Sequence, residues 1–265
     1  MKTIDFNLVL KTGTMSTDTV YCNYLENIVW EKNSSFSSLT DSVTIWKIDV
    51  VSDSRSLISL SALLNNAEIE RANRYYHDKD RHRFITSRAA LRILSGKYLE
   101  INSLNIEFDI GPNKKPFLRN NTTGRQLHYN TAHSENSILL AFANSEIGVD
   151  IEKADDSFDY QEIVNTNFSK EEILFINKAE NPKTTFYLLW TRKEALAKAT
   201  GKGLPDDLSL LPSLDGTHTI KDEAGSSSGP WIISSFKVAI DFIGSIAFPS
   251  NIKSIKFFTM PLSGF

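Results

Sequence analysis

Two thirteen-residue stretches of this chain form a weak internal repeat, and the duplication narrows the folds open to it. SRAALRILSGKYL (Ser87–Leu99) aligns without a gap on RKEALAKATGKGL (Arg192–Leu204), with Ala90-Leu91 on Ala195-Leu196 and Gly96-Lys97 on Gly201-Lys202, 105 positions apart. LAF at Leu140–Phe142 matches IAF at Ile246–Phe248 at an offset of 106. Two matches at nearly one offset point to a duplicated unit. The same offset carries Ile147 back to Ser42, so a strand is expected to open each half. The expectation is an α+β protein of two similar halves related by a pseudo-twofold, each a small sheet packed with helices. A ligand cleft then lies between them. The chain has 265 residues, 41% hydrophobic and 23% charged, enough for one large domain or two smaller ones. The expected division is a variable N-terminal segment over 1–40, an N-terminal half over 41–145 and a C-terminal half over 146–265.

Local patterns fill in the elements. VTIWKIDV (Val43–Val50), ILLAFA (Ile138–Ala143) and IGVDIE (Ile147–Glu152) are rich in β-branched and apolar residues and predict strands. Leu104–Ile110 is also strand-like, and Trp231–Phe248 and Ile252–Met260 read as closing strands. Leu60–Tyr76 has helical spacing, with Glu68, Glu70, Arg71 and Arg74 on a solvated face. Asp78–Leu99 predicts an arginine-rich amphipathic helix that ends at Gly96. His133-Ser134 falls in a polar turn, 155–181 reads as a linker and then a helix, and 205–230 reads as loop. The short apolar run Phe6–Leu10 carries no chemistry. A net charge of -3 argues against general attraction to nucleic acid or membrane surfaces. One cysteine, Cys22, forms no internal disulfide, and no stretch has the length and apolarity of a membrane span. A cytoplasmic protein is expected.

The chemistry gathers around Trp190–Leu204. In a helix Trp190, Glu194 and Lys198 recur every four residues, so a ring, an acid and a base share one face. Alone, Glu194 and Lys198 read as an exposed helix pair worth a few tenths of a kcal/mol. On the strand Ile147–Glu152, alternation sends Asp150 and Glu152 to one face, where two carboxylates repel unless a cation sits between them. Alone, they read as a solvent-facing edge. Arg88 alone reads as surface and His133 as a turn residue. Together, three carboxylates suit a hard cation such as Mg²⁺, and Arg88, Lys115, His133 and Lys198 suit a polyphosphate. That combination points to phosphoryl-type chemistry.

GVDIE at Gly148–Glu152, followed by WTRKEA at Trp190–Ala195, Lys198 and GKGL at Gly201–Leu204, resembles the signature of the 4'-phosphopantetheinyl transferases. Length and duplication resemble the long, pseudo-dimeric surfactin-synthetase-activator type. The resemblance runs from Val43 to Met260. It implies transfer of the phosphopantetheine arm of coenzyme A to a serine of an apo acyl or peptidyl carrier protein, releasing adenosine 3',5'-bisphosphate. It implies Asp150, Glu152 and Glu194 as Mg²⁺ ligands, with Glu194 also accepting the serine proton, directly or through water. Lys198 is implied at the leaving phosphate, Arg88 at the 3'-phosphate, Lys115 and His133 at further coenzyme A phosphates, and Arg71 and Arg83 in the same region. Trp190 is expected to pack. Two departures bear on the coenzyme. Lys114 stands where the family usually has glycine before Lys115-Pro116, which is expected to alter that loop. Ala132 stands where it usually has serine before His133, which is expected to remove a hydroxyl contact. Competing readings are a non-catalytic coenzyme A or carrier-protein binding module and an Mg²⁺-dependent phosphohydrolase. A duplicated chain supplies both halves of its own cleft, so a monomer is expected.

Overall fold

Strand alternation divides the apolar residues between three layers of contact. In a computed structural model that describes residues 4–5, 18–32, 39–111, 113–119, 126–203, 207–220 and 229–262, twelve strands and six α-helices are assigned. The run Phe6–Leu10, Pro112, Leu204 of the GKGL motif, and 205–206 and 221–228 of the expected loop lie outside the described residues. The first sheet runs in the order β1 (Ile4–Asp5), β12 (Ser254–Thr259), β3 (Ser42–Asp49), β7 (Ser137–Ala143), β6 (His128–Ser134). The second runs β8 (Gly148–Lys153), β11 (Phe242–Pro249), β10 (Trp231–Ala239), β2 (Thr19–Leu25), β9 (Gly216–Thr219). The inward faces of the two sheets share one core: Val43, Ile45, Leu139 and Ala141 meet Val149, Ile151, Phe236, Ile246 and Phe248. On the outer face of the first sheet, Trp46, Ile48, Leu140 and Phe142 pack on α3 (Asp78–Leu99). On the outer face of the second, Val20, Trp231, Ile233 and Ala247 pack on α6 (Pro182–Thr200).

The order strand, long helix, hairpin occurs twice, as β3, α3, β6–β7 and as β8, α6, β10–β11. The expected α+β class holds. Two strands cross between the sheets' parent segments: β2, from the N-terminal stretch, pairs in parallel with β10, and β12, near the C-terminus, pairs in parallel with β3. No helix among the described residues is long and apolar enough to cross a membrane.

Several boundaries differ from the sequence reading. Leu60–Tyr76 is not one helix. α1 (Ser54–Ser61) stops, and Asn65 starts α2 (Asn66–Asn73) through a capping box with Glu68, each side chain bonding the other's backbone N–H at 2.9 Å. α3 continues through Gly96 and ends at Glu100, which takes the left-handed conformation with φ 59°. Gly96 serves instead for close approach, since a Cβ there would stand 2.8 Å from the carbonyl oxygen of Ile101. Leu104–Ile110 opens with a 3₁₀ turn, Ser103–Asn105, and only β4 (Phe108–Ile110) pairs, with β5 (Pro116–Leu118). The segment 155–181 forms α4 (Gln161–Asn167) and α5 (Lys170–Lys178), and 205–230 contains a 3₁₀ turn at Leu208–Leu210 and β9. His133 and Ser134 end β6 rather than lying in a turn.

The two sheets meet at a seam between edge strands. β6 closes one sheet and β8 the other, and side chains of β6 cover part of the unpaired β8 edge. Asn130 Oδ1 accepts from Val149 N–H at 2.8 Å, and Ser134 Oγ accepts from Lys153 N–H at 3.1 Å. Beside them Glu146 accepts from Lys115 and lies 3.2 Å from His128 Nδ1. The bonds from His128 and Lys115 hold the Glu146 carboxyl at about 2, against an ordinary 4.5. β8 lies almost in contact with α6, because a Cβ on Gly148 would fall 2.1 Å from Ala195 O and 2.3 Å from Ala199 N.

Two expectations follow. Gly148→Ala drives β8 off the α6 backbone, which cannot rotate away as a side chain can, and lowers stability by about 3 kcal/mol in urea unfolding. An unchanged midpoint would show that β8 yields without cost. A carboxylate with a depressed folded pKa stabilises fully above its unfolded value and loses that contribution as pH falls through the folded one. The stability gap between wild type and Glu146→Gln is therefore constant above about pH 4.5 and narrows steadily toward pH 2. A gap independent of pH over that window would remove Glu146 from the acid response.

Candidate functional site

α6 carries the acid and the base because its sequence fixes both of its ends. Asn181 caps it, accepting from Thr184 N–H at 3.0 Å, Pro182 occupies the first turn, and Gly201 stops it at φ 65°. Trp190, Glu194 and Lys198 lie half-buried along one face, as the spacing predicts. Trp190 packs against Phe168 and Phe186, so its role is packing. The other faces are locked in. Arg192 is buried and donates to Ser235 Oγ, Ser213 O and Asp215. Lys193, also buried, pairs with Glu172 of α5 at 2.9 Å and donates to Leu208 O and Leu211 O. These bonds fix α6 in rotation about its axis, and with it the direction of Glu194.

Alternation on β8 puts Val149 and Ile151 in the core between the sheets and Asp150 and Glu152 on the α6 side. Lys198 Nζ donates to Asp150 Oδ1 at 2.6 Å. Asp150 Oδ2 is buried without a hydrogen-bond partner among the described residues. Ser134 Oγ donates to Glu152 at 3.2 Å. All three carboxyls titrate high. Burial raises Asp150 against the opposing charge of Lys198. Burial and then the charge of Asp150 push Glu152 up to about 7. Burial raises Glu194, with Lys198 opposing and Asp150 adding to it. Among the described residues no three acidic, His or Cys side chains close on a common point as a ready metal cluster. Lys198 stands on one oxygen of Asp150 instead. The donor set nevertheless fits a hard cation: oxygen ligands only, mutual repulsion to relieve, and one buried carboxylate oxygen left over.

The basic residues lie across the seam. A cavity of about 590 Å³ is lined by Arg71, Arg83, Arg88 and His133 together with Phe84, Phe108 and Thr131. A second, of about 310 Å³, is lined by Lys115, Asn130, Glu194 and Lys198. Lys114, Pro116 and Thr131 line both, so the two cavities adjoin. Arg88 lies over the Phe108 ring at 4.7 Å and 3.5 Å from Glu68. Arg71 lies over Phe84 at 5.1 Å. Arg83 pairs with Asp80 at 2.6 Å. His133, at the exposed end of β6, has its pKa lowered by its partial desolvation and then by the charges of Arg83 and Lys198. Seven of the nine sequence-predicted site residues thus line the joined cavities. Asp150 and Glu152 stand behind Lys198 and Glu194 on β8.

Both departures from the family pattern have a structural account. Lys114 takes φ 60°, the left-handed region that glycine adopts freely, so the loop keeps a glycine-like turn despite the side chain. Ala132 is buried in the core between the sheets, on the strand face opposite His133. Sequence reading missed Glu68, which pairs with both Arg88 and Arg92 and so turns its helix face toward α3 rather than to solvent. The opposite charges of the Glu68–Arg74 segment and the α3 arginine stripe were the available signal. Glu146 and Thr131 were missed too, and neither carries a spacing signal.

A family model described as the 4'-phosphopantetheinyl transferase superfamily matches residues 146–245. A second, described as 4'-phosphopantetheinyl transferase, N-terminal, matches residues 52–145. The chain is 32% identical over 189 residues to the 4'-phosphopantetheinyl transferase HetI of Nostoc sp., covering 69% of this chain and 80% of that protein. It is 30% identical over 174 residues to the 4'-phosphopantetheinyl transferase Sfp of Bacillus subtilis, covering 64% and 75%. To the 4'-phosphopantetheinyl transferase ffp of Bacillus subtilis it is 27% identical over 208 residues, covering 75% and 90%. With two such models in tandem and a relative matched over most of its length, the chain belongs to the 4'-phosphopantetheinyl transferase superfamily.

Proposed function

We propose that this chain transfers the 4'-phosphopantetheine group of coenzyme A to a serine hydroxyl of an apo acyl or peptidyl carrier protein. The observation that carries the reading is the joined cavity, with Glu194 and Lys198 of α6 on one side, Asp150 and Glu152 of β8 behind them, and the arginines of α2 and α3 on the other. A nucleotide with a 3'-phosphate and a pyrophosphate needs cations at both and a carboxylate where its phosphorus is attacked. In the proposed division, 41–145 supplies most of the phosphate contacts and 146–265 the reacting groups. Arg71, Arg83, Arg88 and His133 bind coenzyme A phosphates. Asp150, Glu152 and Glu194 would hold Mg²⁺, which when bound neutralises the pyrophosphate and draws down the raised pKa values of its ligands.

The serine oxygen attacks the phosphorus that bears the pantetheine arm, and the bond from that phosphorus to the bridging oxygen breaks. Adenosine 3',5'-bisphosphate leaves. The serine proton passes to Glu194, directly or through a water. Glu194 lines the cavity beside Lys198, which places its carboxylate where an acceptor hydroxyl would enter. Lys198, within 2.6 Å of Asp150, can swing its ammonium to the leaving phosphate as charge builds there. Cytoplasmic action as a monomer completes the proposal, and light scattering at the mass of one chain checks the latter.

Incubation with a fluorescent coenzyme A, Mg²⁺ and several apo carriers is expected to label a carrier at one serine. Coenzyme A binding without transfer would favour a binding module, and hydrolysis without an acceptor a phosphohydrolase. Glu194→Gln is expected to lower transfer by roughly 10²–10⁴-fold with its circular dichroism unchanged. Transfer at the wild-type rate would take Glu194 out of the reaction.

A further inference from the structure

Lys114 and Lys115 are neighbours in sequence with different surroundings. The stem of Lys115 crosses Gly201, where an added Cβ would stand 3.2 Å from Lys115 Cδ. Its ammonium is taken up by Glu146, by Ala199 O at 3.0 Å and by Ile147 O at 3.4 Å. An ammonium has three N–H donors, and these three acceptors engage all of them. A phosphate would have to displace a carboxylate to gain Lys115. Asn113 Nδ2 adds a bond to Gly201 O at 2.8 Å, so the loop is tied at two points to the end of α6. Lys115 also caps the negative end of that helix through Ala199 O.

Lys114 has none of these ties. It is exposed, makes no ion pair with a described residue, and lines both cavities where they adjoin. Its φ of 60° is a conformation that disfavours a side chain, set by the turn in which Lys114 N–H donates to Gly111 O at 3.0 Å. The site thus places a long cation, with no ion-pair partner among the described residues, at a position where glycine would fit the backbone better.

We infer that Lys114, rather than Lys115, is the cation this loop presents to a phosphate of coenzyme A at the junction of the two cavities, and that Lys115 is the anchor of the loop. The inference rests on the coenzyme A reading above. It separates charge from backbone fit at Lys114: removing the lysine weakens binding while relieving the turn.

Titration calorimetry of the full chain with coenzyme A and with its 3'-dephospho form, in low salt, tests this alongside thermal melts. Lys114→Gly is expected to weaken coenzyme A binding roughly tenfold, with an unchanged or higher Tm. Lys114→Arg restores the affinity. Lys115→Met is expected to lower the Tm by several degrees, because Glu146 and two carbonyls lose their partner. A loss seen with coenzyme A but not with the dephospho form assigns Lys114 to the 3'-phosphate, and an equal loss with both assigns it to the pyrophosphate. Wild type that fails to bind coenzyme A overturns the functional reading itself. Wild type that binds, with Lys114→Gly binding equally well, overturns only the inference. Lys115→Met that loses affinity at an unchanged Tm does the same.

Discussion

The cleft depends on how closely β8 approaches α6. With no Cβ at Gly148, the strand backbone lies directly on the helix backbone at Ala195 and Ala199. That approach brings Asp150 to 2.6 Å from Lys198 and places Glu152 and Glu194 within each other's field. A wider spacing of ordinary side-chain packing would separate the carboxylates and let water screen them. Burial is the first cause of the raised pKa values of all three acids, and the close approach of β8 to α6 contributes to that burial.

Holding α6 at that distance takes groups that play no part in the cleft. Arg192 and Lys193 point away from it and bind the stretch from Leu208 to Asp215 by carbonyl and carboxylate contacts, with Glu172 shared between Lys193 and Ser213. Buried charges are costly unless paired, so these bonds fix one rotation of the helix and exclude others. On the opposite side the edge strand β6 reaches over the β8 edge with Asn130 and Ser134. The same strand sends Thr131 and His133 toward the arginines of α3, so a single strand borders both cavities.

Much of this was legible from residues alone. The period of α6 put Glu194 and Lys198 on one face, and alternation on β8 put Asp150 with Glu152, because both depend only on backbone periodicity. The repeat announced a second long helix carrying Arg88, with Ala89 and Ile93 at the places of Glu194 and Lys198. Both of those are buried against the first sheet. Where the reading failed, the cause was a contact distant in sequence or a conformation that a residue name does not disclose. Gly96 looked like a helix stop and is a point of close approach. Lys114 stands in a conformation that glycine adopts freely, which its residue name does not announce. Ala132 faces the core between the sheets. The Glu68 segment looked solvated and pairs with α3.

The sequence by itself determined the family and which carboxylates and cations share a face, since periodicity and spacing are local properties of the chain. Only the tertiary structure decided that β2 and β12 cross between the sheets, that Lys198 rests on Asp150, and that Lys115 is consumed by Glu146 and two carbonyls. Those pairings span long separations in the chain and depend on which edges and helix ends the packed core brings within a few ångströms. No local pattern encodes that distance.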